Sequence, residues 1–210
     1  MGDGEKRPQD PLAEPSRVIK ASDPEKLAEN SGLVFRESRF EIPMMKWTIY
    51  VSHPELNFEA PDFLDTFVVR ALALLYISKA YFQPLANKWV PYRELKDGLF
   101  YTKTFSETVE ERISSRFGDD VEGLREACMA LGGREVDQGD LGMVLKTFPR
   151  LPLLVIVWRG DEEFHPNARV LFDASADGYL NAFELRMLGG EVVSRLISVA
   201  DGRLEIPGEG

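Results

Sequence analysis

The stretch from Leu151 to Gly160, LPLLVIVWRG, decides the fold. Its near-continuous apolar run is of the kind found in a strand buried on both faces. Upstream, GMVLKTF (142–148) reads as a second strand, joined to the first through Phe148-Pro149-Arg150-Leu151-Pro152. Downstream, DEEFHPN (161–167) turns the chain and ARVLF (168–172) reads as a third strand. The strand-rich region is followed by AFELRMLGGEVVSRLIS (182–198), a terminal helix with an expected interruption at Gly189-Gly190.

Moving toward the N-terminus, the elements change character. DDVEGLREACMALGG (119–133) and SETVEERISSRFG (106–118) have helical spacing, and Gly132-Gly133 closes the former. In NKWVPYRELKDGLFYTKTF (87–105), Pro91 starts a short helical turn that Asp97-Gly98 ends. FLDTFVVRALALLYISKAYF (63–82) is apolar around most of its circumference, so a long central buried helix is expected, opening at Asp62. It is long enough to cross a bilayer, but Asp65, Arg70 and Lys79 would place charge in hydrocarbon.

LVFRESRFEIPMMKWTIYVSHPELNFE (33–59) alternates in part and is cut by Pro43 and Pro54, which predicts a meander of two or three strands. SDPEKLAENSG (22–32) supplies a cap, a first-turn Pro24 and a stop at Gly32, hence a short helix. Because strands and helices are segregated, the class is α+β: an N-terminal β-meander, a central buried helix with further helices, then C-terminal antiparallel or mixed strands and a terminal helix. The expected organisation is a disordered leader over 1–21, a single α+β domain over 22–200 and a flexible tail over 201–210.

A net charge of −10 repels phosphate backbones and anionic membranes, and the cations are scattered among acids, so neither nucleic acid nor membrane is an expected partner. The N-terminal residues lack the basic-then-apolar order of a secretion signal, and the expected location is the cytoplasm. One cysteine, Cys128, leaves no intramolecular disulfide and no four-thiolate iron–sulfur cluster within this chain, and its apolar neighbours point to a buried, inert thiol. Trp47, Trp89 and Trp158 are expected in the core.

Two stretches carry candidate chemistry. DASADGYLNAFEL (173–185) places Asp173, Ser175, Asp177, Gly178, Tyr179 and Glu184 where an EF-hand calcium loop wants its ligands and its glycine. Pro166 and the β-branched residues before Asp173 argue for a strand there instead of the required helix, and the competing reading is a strand end, a turn and a helix start capped by Asn181 or a nearby residue, with Glu184 in its first turns. The other stretch is Asp161-Glu162-Glu163-Phe164-His165, at the end of the buried strand. It reads as a binding loop for a metal or a cationic partner, as the acids of a metal-assisted hydrolase, or as a solvated turn with Phe164 tucked beneath it. His165 is a further possible metal or haem ligand.

Together WVPYRELKDGLFYTKTF (89–105), LGG (131–133), Gly139-Asp140, FPRLP (148–152), WRGDEEF (158–164) and LFDASADGYL (171–180) resemble a bacterial and archaeal family, domain of unknown function 3786, over roughly residues 23–197. The resemblance implies no defined activity. Some relatives join such a domain to an iron–sulfur module seen in corrinoid-linked one-carbon proteins, which implies a link to anaerobic corrinoid or redox metabolism. The expected function is therefore a binding or accessory module, more readily than an enzyme, with a protein, small-molecule or corrinoid-type partner at the 160–184 loops. Calcium binding through 173–184 and hydrolysis through 161–163 are the alternatives.

Overall fold

The computed structural model describes residues 10–79 and 81–204. The protein is α+β, with two antiparallel sheets. Helices α1 (Ala13–Ala21) and α2 (Pro24–Ser31) lead into a meander of β1 (Val34–Arg36), β2 (Arg39–Met44), β3 (Trp47–Ser52) and β4 (Phe58–Glu59). Four strands thus form where two or three were expected. Helix α3 (Phe67–Lys79) follows, then β5 (Trp89–Pro91) and a helical run: 3-10 turns at Tyr92–Glu94 and Gly98–Tyr101, α4 (Thr102–Phe105), a π-helical turn at Ser106–Glu110, and α5 (Glu111–Phe117). After α6 (Val121–Ala130) come β6 (Arg134–Val136), β7 (Leu141–Phe148), β8 (Leu151–Trp158) and β9 (Asn167–Asp173), and α7 (Ala182–Ala200) closes the fold.

The second sheet has the order β5-β9-β8-β7-β6, so LPLLVIVW lies at its centre. Leu153, Val155 and Val157 enter the main core, while Leu154 and Ile156 join Val144 in a smaller cluster on the opposite face. Burial on both faces explains why this strand reads as continuous instead of alternating. The two sheets meet where Met45 N–H donates to the Lys146 carbonyl at 2.8 Å.

Helix α3 is buried around most of its circumference, as expected, but it starts at Phe67 and not at Asp62. Residues 61–65 are held in turns onto the Pro61 carbonyl, and the Thr66 hydroxyl caps the helix by accepting from Val69 N–H at 3.2 Å. Tyr76 on α3 stacks on Phe148 at 4.8 Å and donates to the Ser31 carbonyl at 2.5 Å, tying the helix to β7 and α2.

Several expectations need correction. The second half of the expected leader is helix α1, because Pro15 and Ile19 bury against the body and the Ile19 carbonyl meets His53 Nε2 at 3.2 Å. Two buried side chains in a nine-residue helix make too weak a pattern to read locally. Residues 1–9 of that leader and 205–210 of the expected tail lie outside the described residues. Arg203 and Leu204 still donate main-chain N–H groups to the Ser198 carbonyl, and Asp201 pairs with Arg116 at 2.9 Å.

Helix α7 runs without interruption through Gly189-Gly190. A Cβ on Gly189 would stand 3.3 Å from Phe105 and Val109, so this glycine admits a close helix contact and does not break the helix. Trp47 packs edge-on against Phe63, but Trp89 and Trp158, at 37% and 39% exposure, sit at strand ends and not in the core. Cys128 is fully buried, and burial pushes its thiol well above the usual range. No helix among the described residues is long and apolar enough to cross a membrane.

Candidate functional site

The string that spells a calcium loop is a clasp. The helix an EF-hand requires before its loop is here strand β9. Asp173 Oδ1 accepts from the main-chain N–H of Ala86 at 2.9 Å, from Ser175 N–H at 3.0 Å and from Ser175 Oγ at 2.6 Å. Burial opposes its charge, but these donors together with Asn87 N–H outweigh it, and the carboxyl is held below the usual range.

The other would-be ligands have separate partners. Asp177 accepts from Lys96 N–H at 2.9 Å, and the Tyr179 hydroxyl donates to the Gln83 carbonyl. Asn181 and Glu184 form a reciprocal capping box at the start of α7, and Glu184 also pairs with Lys79. A Cβ on Gly178 would stand 2.3 Å from Gln83 Oε1, so this glycine serves the approach of the 81–88 segment. The residues thus fasten one connection, from Lys79 to Lys96, at successive points.

The acidic stretch at 161–165 is the tip of the β8–β9 hairpin. Asp161 Oδ1 accepts from Glu163 N–H at 2.8 Å and Phe164 N–H at 2.7 Å, which lowers its pKa and closes the turn. Glu162, Glu163 and His165 are exposed. Phe164 is 68% exposed, a correction to the expectation that it tucks beneath the turn: Pro166 takes the inward place, in a space that Gly118 and Gly160 leave open. The length of β9, about 20 Å at ~3.4 Å per residue, separates this tip from Asp173, so the two acidic stretches do not converge. Among the described residues, no group of three or more His, Cys, Asp or Glu is placed to hold a metal ion.

A third region, one that the residue pattern did not point to, gathers outward-facing charge. Between β5, the start of the helical run and β9 lies a cleft of about 270 Å³, lined by Pro91, Tyr92, Arg93, Thr102, Phe105, Ser106, Glu110 and Arg169. Its apolar wall is Tyr92 stacked on Phe105 with centroids 4.1 Å apart. The Tyr92 hydroxyl donates to the Ala182 carbonyl at 2.7 Å, and burial pushes its pKa up to about 12.

Glu110 closes the π-helical turn, in which Glu111 N–H reaches back five residues to the Ser106 carbonyl. Such single turns are frequent at functional sites. The side chain of Glu110 lies across β9, where Oε1 accepts from Val170 N–H at 3.2 Å and Oε2 from Arg169 Nη1 at 3.1 Å. Burial raises its pKa, and the Val170 N–H, Arg169 and the charge of Arg93 offset this only in part. A partly buried acid beside two arginines and three hydroxyl-bearing residues is the kind of convergence that marks ligand sites.

Some signal for this site existed. Glu110 borders the buried stripe of Val109, Ile113 and Phe117, and Arg169 is the outward residue between Ala168 and Val170. Nothing local to either shows that they meet across 59 positions.

Fold and cleft together define an α+β protein of two antiparallel sheets linked by a buried helix, with a small polar cleft beside the edge of the larger sheet. The family model described as "Domain of unknown function (DUF3786)" matches residues 23–195, and the chain belongs to that family. No curated protein matches the chain, and no solved structure does.

Proposed function

We propose that the protein is a binding or accessory module whose ligand site is the Arg93–Arg169 cleft, and that the ligand carries a small oxyanion group such as a carboxylate, sulfate or phosphate. The observation that carries this reading is that two arginines, Arg93 from the 3-10 turn after β5 and Arg169 from β9, line one cleft of a chain whose net charge is −10. Arginine is the residue suited to oxyanions, because its planar donors match their geometry. Arg93 is exposed, and Thr102 and Ser106 also line the cleft, their hydroxyls donating to the Gly98 carbonyl at 3.0 Å and to Glu111 Oε1 at 3.4 Å. The volume suits a small molecule or one anionic group of a larger partner. The link to corrinoid or redox metabolism implied by the family resemblance adds no residue to this site.

The test is calorimetric titration of the full chain with sulfate, with the Arg93→Ala variant beside it. Loss of that side chain removes no ion pair described in the fold, so the variant should melt like the parent and bind sulfate roughly tenfold more weakly or worse. Equal binding by parent and variant would overturn the assignment.

A further inference from the structure

The same contacts that make Glu110 part of the cleft set it against any anion that enters. Its Oε2 stands 3.1 Å from Nη1 of Arg169, one of the two arginines that line the cleft. Its other oxygen is held by Val170 N–H, so the carboxylate is fixed over Arg169 by the sheet edge. Two negative groups sharing one guanidinium in a half-buried site repel, and the cheaper solution is for the weaker acid to take a proton.

We infer that Glu110 is a built-in competitor for the cleft, so that binding of an oxyanion to Arg93 and Arg169 is coupled to uptake of one proton by the Glu110 carboxylate. This rests on the anion-binding reading above and adds its regulation: the site takes its ligand more tightly as pH falls. The step balances as anion plus proton plus protein giving the complex with a neutral Glu110.

The charged surroundings permit this. From β9 the facing group is Arg169, and from the 3-10 turn after β5 it is Arg93. Along its own helical run, Glu107 is engaged by Lys103 at 3.7 Å and Glu111 by Ser106 Oγ at 3.4 Å. From α7, Gly189 packs against Phe105 and Val109, Ser194 meets Arg112 of α5, and Arg186 brings its charge near Tyr92 of the cleft wall. Neither histidine lines the cleft.

The test uses sulfate because it remains a dianion throughout the working range. Affinity is measured by calorimetry from about pH 5 to about pH 8, in buffers of different ionisation enthalpy, for the parent chain and for Glu110→Gln. The parent should bind more tightly as pH falls, by at most tenfold per pH unit, with proton uptake seen as a buffer-dependent heat. Glu110→Gln should bind on the order of tenfold more tightly at neutral pH, with a flat profile and no proton uptake.

Binding in both proteins with flat profiles and no buffer dependence would overturn the coupling while leaving the anion site standing. A pH dependence that persists unchanged in the variant would also overturn it, by assigning the proton elsewhere. No sulfate binding in either protein would overturn both readings. Should the variant fold poorly, the buffer dependence of the parent still decides the matter.

Discussion

Asp173, the last residue of strand β9, and Glu110, laid across that strand, are carboxylates driven in opposite directions. Asp173 is 3% exposed and collects hydrogen bonds from Ala86, Asn87 and both donors of Ser175, so its charge is favoured despite burial. Glu110 receives one main-chain N–H and one partly exposed guanidinium, too few to offset its burial, so burial prevails. The number of fixed donors aimed at an acid, set against its desolvation, decides whether the charged form is stabilised. A carboxylate that its own fold satisfies is a fastening, and one left short is available for a ligand or a proton.

The largest expected effect tests the fastening. Asp173→Ala leaves the N–H groups of Ala86 and Ser175 without their acceptor and should lower stability by about 3 kcal/mol in urea unfolding, whereas Asp173→Asn, which keeps an acceptor oxygen, should lose less. Loss of under about 1 kcal/mol on Asp173→Ala would break the contrast.

Acid titration sharpens it further. The folded pKa of Asp173 is depressed, so its stabilisation is present above the unfolded value near 3.9 and is lost as pH falls through the folded value. The folded pKa of Glu110 is raised, so its charged form costs stability above that folded value, and the cost fades as pH falls toward the unfolded value near 4.3. Unfolding followed against pH should therefore show Asp173→Asn flattening the acid limb, while Glu110→Gln gains relative to the parent toward neutral pH.

A smaller expected effect concerns calcium. With Asp173, Asp177 and Glu184 each committed to a different partner, scanning calorimetry in millimolar calcium should give the same Tm as in chelator. A rise that Asp173→Ala abolishes would show that the loop rearranges into a site.

The smallest effects fall on α7. Gly190 has open space at its Cβ position and Gly189 does not, so Gly190→Ala should stabilise by up to about 1 kcal/mol and Gly189→Ala should gain less or lose. Thermal melts of the two variants make the comparison.

The strand β8, the helix α6, the cap at Asn181 and the α+β class were legible because each rests on chemistry within a few neighbouring residues: apolar runs, helical spacing, a side-chain oxygen three positions before its donor. The clasp was half legible. Its residues stood out as a string of acids and small residues, but a calcium loop and a loop that binds its own backbone call for the same oxygens, and only the location of the donors separates them. Those donors, at Ala86 and Lys96, are 87 and 81 positions from their acceptors.

Helix α1 and the cleft were decided by tertiary structure alone. Helix α1 forms because the body supplies a surface for Pro15 and Ile19, and the cleft exists because an antiparallel sheet edge carries Arg169 under Glu110 and beside Arg93. Spacing along a chain encodes the period of a helix or a strand. It does not encode which outward faces will meet, and electrostatic sites are made where they do.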